Sequence, residues 1–76
     1  MKAGKAGSLR MVEVGGLEWA TERFTDRVWR AARPHTVLLT DAEVRAGLQY
    51  VVWARTEERL AAVLEQQAKL ARGLLL

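Results

Sequence analysis

The residues that could do covalent chemistry are few. The chain has one histidine, His35, and no cysteine. A Ser-His-Asp or Cys-His nucleophile arrangement therefore has few parts to draw on. Disulfides and thiolate metal sites are excluded, and one histidine does not make a zinc site. Gly4, Gly7, Gly15 and Gly16 match neither the phosphate-binding P-loop nor the dinucleotide fingerprint. Two carboxylate pairs, Glu18 with Glu22 and Glu57 with Glu58, stand among arginines. They read as solvated ion pairs rather than as an acid and a base. No catalytic residue, metal or cofactor is expected, and the remaining chemistry is that of binding.

Two sets of residues could do the binding. The first is apolar and helical. Tyr50 and Trp53 lie in the apolar run 48–54, and Leu60, Val63, Gln67, Leu70 and Leu74 repeat at spacings of three and four. That repeat is the seam of a coiled coil, with Leu64 beside it. Gln67 in mid-seam would set register. This set predicts contact with another protein chain, either a second copy or a subunit of a larger complex. The second set is basic: Lys2, Lys5 and Arg10 in an N-terminal arm, and Trp19, Arg23, Arg27, Arg30 and Arg33 on one helix face. An arginine four residues from a tryptophan can stack on the indole, and such a face suits phosphates. Glu18, Glu22 and Asp26 line the adjoining strip and oppose that use. The same strip disfavours a membrane-surface helix. A helix-turn-helix lacks its tight glycine turn here.

Composition narrows the class. Half of the 76 residues are hydrophobic and 28% are charged, as in a globular rather than a disordered chain. The formal charge of +3 comes wholly from residues 1–36, which hold seven Lys/Arg against four Asp/Glu. Residues 37–76 hold five of each. So short a domain buries only ~60% of its unfolded surface, and many such chains are stapled by a partner. No apolar run reaches the ~20 residues of a membrane span. The N-terminal stretch lacks the apolar core of a secretory signal, so a cytoplasmic location is expected.

These residues must be carried by elements, and the pattern reads as an all-α helical hairpin. Residues 1–8 form a flexible basic arm and residues 9–76 one helical domain. Leu17, Ala20, Phe24, Val28 and Ala31 make a helical stripe over 17–33, stopped by Pro34. Thr40-Asp41-Ala42-Glu43 is a capping box, with Leu39 and Val44 placed as a hydrophobic staple. The second helix runs from there toward Arg72, with Gly73 as its stop. The polar run 55–59 marks a kink in it, or a break at which Thr56 caps a third helix. As a second option, residues 9–14 pair with 36–39 in a two-stranded ribbon beside the helices. The expected function is that of a small adaptor, inhibitor or assembly subunit, and the alternative is a nucleic-acid-binding regulator.

Overall fold

The computed structural model describes residues 9–75. Four strands, β1 (Arg10–Val14), β2 (Leu17–Thr25), β3 (Val28–Ala32) and β4 (Val51–Ala54), form one antiparallel sheet in the order β1-β2-β3-β4. A short helix, α1 (Asp41–Ala46), lies in the β3–β4 connection, and a 19-residue helix, α2 (Glu57–Leu75), follows β4 and packs across one face of the sheet.

The local chemistry explains each element. Gly15 and Gly16 have φ of 58° and 86°, the two left-handed positions that a tight two-residue hairpin turn demands. They set the β1–β2 register with Val12 opposite Trp19 and Val14 opposite Leu17. The β2–β3 turn at Asp26-Arg27 contains no glycine. There the Thr25 hydroxyl accepts the Arg27 amide at 3.2 Å, and a register shift between Arg23 and Thr25 marks a bulge at Phe24. The alternation Trp19, Thr21 and Glu18, Ala20, Glu22 assigns opposite faces of β2. One face buries Trp19, with Ala31 of β3 and Val52 of β4, against Leu60 and Leu64 of α2.

The all-α expectation is therefore overturned. The segment 17–33 is the β2–β3 hairpin, not a helix. Its spacings of three and four were real, but so was a period of two. Trp, Thr, Phe and Val are strand formers, and pairing on both sides of β2 and β3 satisfies their backbone groups. The ribbon of 9–14 with 36–39 also fails. Residues 10–14 are a strand, but their partner is β2, and 37–40 are irregular.

The expected long helix from Thr40 is three elements. The capping box is present, with Glu43 N–H to Thr40 Oγ1 at 3.1 Å and Thr40 N–H to Glu43 Oε1 at 2.7 Å. The helix ends after one and a half turns, because Gly47 takes the left-handed conformation, φ 108°, and caps it. Leu48 then turns into the core and β4 follows. Thr56 opens a separate helix, its hydroxyl accepting the Arg59 amide at 3.1 Å. Gly73 does not stop that helix, which continues to Leu75. The basic arm 1–8 lies outside the described residues. Among the described residues no helix is long and apolar enough to cross a membrane.

Candidate functional site

With α2 on one face, the other face of the sheet is left open, and its side chains fall into three bands. At the Gly15–Gly16 end, Glu13 and Glu18 stand directly opposite each other in the register. In the middle, Met11, Ala20, Ala32 and Val51 make one line across all four strands. At the far end, Glu22, Arg30 and Trp53 make the next line, with Phe24 beyond. Met11, Phe24, Val51 and Trp53 are all exposed, the two rings by 54% and 50%. This is far more apolar surface than a solvated sheet face needs.

The far end is a built cluster. The rings of Phe24 and Trp53 meet edge to face, with centroids 5.2 Å apart and planes at 81°. The Arg30 guanidinium lies against both, 5.5 Å from the Phe24 centroid and 5.9 Å from that of Trp53, and is ion-paired with Glu22. The bulge at Phe24 helps to re-aim that ring toward β4. At the other end of β4, beside Arg33, Tyr50 is exposed, and its hydroxyl accepts the Leu39 amide at 2.8 Å. Arg27 in the turn and Arg55 after β4 are exposed, and neither has an ion partner among the described residues.

The helical seam expected as a binding surface is mostly core. Leu60, Leu64 and Gln67 are buried beneath the sheet or the α1–β4 loop, and Val63 packs against them. Gln67 sets no register between chains. Its side chain accepts the Gln49 amide at 3.0 Å and donates to the Gly47 carbonyl at 3.1 Å, which pins the α1–β4 loop to α2. Leu70 is half-buried under that same loop, and Leu74 is exposed. Of the expected protein-binding residues, Trp53 lies on the open face of the sheet, whereas Tyr50 is exposed at the other end of β4, beside Arg33 and Leu39, and alternates with Val51 rather than sharing its face.

The expected basic face is dispersed. Trp19 is wholly buried, and the guanidinium lying over it, at 5.1 Å, belongs to Arg33 rather than Arg23. Nε and Nη1 of Arg33, Nε of Arg30 and Nε1 of Trp19 are buried without a protein hydrogen-bond partner, and for the arginines the ring contact supplies part of the compensation. Arg23 pairs with Asp26 at 3.9 Å. Arg10 lines the opposite face, at the mouth of a cavity of about 190 Å³ between β1 and α2, whose walls include Val12, Val14, Trp29 and Leu64. Lys2 and Lys5 lie outside the described residues. No group of three or more His, Cys, Asp or Glu gathers among the described residues to hold a metal.

Compared with known proteins, the chain matches no family model, no curated protein and no solved structure.

Proposed function

We propose that this chain is a non-catalytic binding module, acting in the cytoplasm, that engages another protein chain through the helix-free face of its sheet. The observation that carries the reading is the Phe24–Arg30–Trp53 cluster, exposed and yet locked. Trp, Tyr and Arg dominate the energetically important positions of protein interfaces. Side chains already fixed by one another lose less freedom on binding. Arg30 is held by Glu22 and by two rings, so it can cover a partner's apolar surface without first being ordered. Met11 and Val51 extend the apolar area across the sheet.

A photo-crosslinking amino acid placed at position 53 tests this in cells of the natural source. Position 69, an exposed lysine two turns further along α2 than the residues that border Trp53, serves as control. A discrete interchain adduct is expected from position 53, lost on adding Phe24→Asp, and absent from position 69. Equal adducts from both positions, or none from 53, would overturn the reading.

The nucleic-acid alternative now rests on a different arrangement. Exposed rings flanked by Arg27 and Arg55 can stack unpaired bases. Glu13, Glu18 and Glu22 share the same face and repel a polyanion. Salt separates the two readings. A phosphate-driven complex loses affinity steeply between 50 and 200 mM salt, by about 10³-fold for six contacts. An apolar protein contact barely changes.

A further inference from the structure

We propose that the outer edge of β4 is a docking groove for an extended, acidic segment of a partner protein, which adds to the sheet as a further strand. The inference rests on the reading that Trp53 meets another protein chain, and it names the kind of segment that does so.

The backbone of β4 points to it. β4 ends the strand order, so one side of it has no strand neighbour. Arg33 N–H donates to the Tyr50 carbonyl at 2.8 Å, which continues the β3–β4 register. Bonded and unbonded pairs alternate in an antiparallel ladder. Tyr50, Val52 and Ala54 therefore turn their backbone groups toward β3, and Val51 and Trp53 turn theirs outward. Among the described residues, no backbone partner outside the ladder takes up the Trp53 N–H or carbonyl. Edge strands are commonly blunted by a charge, a proline or a bulge. Val51-Val52-Trp53-Ala54 has none of these, and its pairing with β3 is continuous. β1, at the other edge, carries Arg10 and Glu13.

The groove beside this edge selects the strand. It measures about 380 Å³ and is lined by Trp53, Ala54, Arg55, Arg59, Ala62 and Val63. Trp53 and Ala54 point to opposite faces of β4, so a groove that touches both passes around the edge of the strand. Ala62 and Val63 of α2 give it an apolar wall on which alternate side chains of an added strand would rest. Arg55 and Arg59 are exposed and have no ion partner among the described residues, and no carboxylate lines the groove with them. Two such guanidiniums suit carboxylates, which arginine grips with paired hydrogen bonds. The remaining side chains of the added strand would lie beside Trp53 as cross-strand neighbours. Backbone bonds to β4 then supply affinity, and the groove supplies selectivity. A nucleic acid can meet the arginines but leaves the strand edge unpaired.

Selection of a displayed library of random peptides on the full chain tests the proposal. The enriched peptides are expected to alternate apolar residues and to carry Asp or Glu. The strongest binder is then synthesised with a fluorescent label and titrated. Arg55→Glu/Arg59→Glu should weaken it by about tenfold or more, the loss expected for charge-assisted hydrogen bonds. Unchanged far-UV circular dichroism shows that the variant folds. Methylating the peptide's backbone nitrogens at alternate positions removes the donors of one strand edge at a time. One set should abolish binding and the other leave it unchanged, because only one edge of an added strand faces β4. If the double variant does not fold, the methylated peptides decide. No enrichment, enrichment without acidic residues, a binder indifferent to the double variant, or equal tolerance of both methylated sets overturns the docking groove. A labelled single-stranded oligothymidylate that binds more tightly than the peptide, and is lost in the double variant, makes the groove a phosphate site and also overturns it. In each of these cases an adduct from position 53 to another protein would still uphold the open face as a binding surface.

Discussion

Individual residues decide how tightly this small fold is closed, and two of them give sharp tests. Gln67 is a buried polar side chain with both ends of its amide engaged, on Gln49 N–H and Gly47 C=O. Removing it strands a backbone donor and a backbone acceptor, each costing about 1–3 kcal/mol where water cannot reach. Gln67→Leu should therefore lower the urea midpoint, with the slope of the transition unchanged. A variant as stable as wild type would mean that water replaces the amide without loss. Gly15 is constrained twice. Its φ is positive, and a Cβ there would stand 2.5 Å from Cβ of Ala68 on α2. Gly16 has a positive φ but open space around it. Gly15→Ala should lower the melting temperature clearly more than Gly16→Ala, which carries only the left-handed penalty of about 1–2 kcal/mol. Equal shifts would show that the turn does not press on the helix.

Among the elements, α1 depends most on its ends. It has six residues and none is buried, so its apolar packing contributes little. The capping box and Gly47 hold it. Thr40→Ala should cost about 1 kcal/mol, seen by amide exchange as faster opening of 41–48, while β2 keeps its protection. Uniform loss of protection across the sheet would instead make α1 part of the global unfolding unit. The caps were also the most legible part of the sequence. The Thr40–Glu43 pattern located a helix start to the residue, because a cap is a local hydrogen-bonding solution. The hairpins were harder to read. Gly15-Gly16 breaks the chain in any fold, and as two residues between two apolar runs it also has the length of a hairpin loop. At Asp26-Arg27 no glycine or proline announces a turn, and the register shift there obscures the alternation of β2. The polar run at 55–59 did signal a boundary, but its cause, a strand ending and a new cap at Thr56, needed β4 to be recognised first.

For the molecule as a whole, one thin core is shared by the four strands and α2. Trp19, Ala31, Val52, Leu60 and Leu64 form it, with partly buried side chains around them. Stability of domains this size lies near the low end of ~5–15 kcal/mol. Leu64→Ala removes about 2–5 kcal/mol. The expected outcome is a chain with weak near-UV circular dichroism and little or no folded baseline in urea. A cooperative transition near the wild-type midpoint would mean that the apolar cavity beside Leu64 collapses to fill the space. The candidate site belongs to this scale too. Trp53 and Tyr50 were singled out from the sequence as interface residues because large aromatics in an apolar run need a cover. Met11, Phe24 and Val51 were not, since only the pairing of all four strands in one sheet puts them on one surface. The leucine repeat of 60–74 was read correctly as an apolar helix face. Its cover is this chain's own sheet and loop rather than another helix.

By itself, the sequence determined local stops and starts: the cap at Thr40, the break at Gly15-Gly16 and the apolar face of α2. These follow from hydrogen bonds and backbone freedom within a few residues. It also determined that His35 has no cysteine or second histidine to work with. Tertiary structure alone decided that 17–33 is a hairpin. Its side chains suit a period of two as well as 3.6, and the choice falls to whichever arrangement buries Trp19 and pairs the backbone of β2 on both sides. The same long-range pairing set Glu13 opposite Glu18 and Glu22 opposite Arg30. Cross-strand neighbours lie far apart in the chain, and no spacing along it could have shown them together.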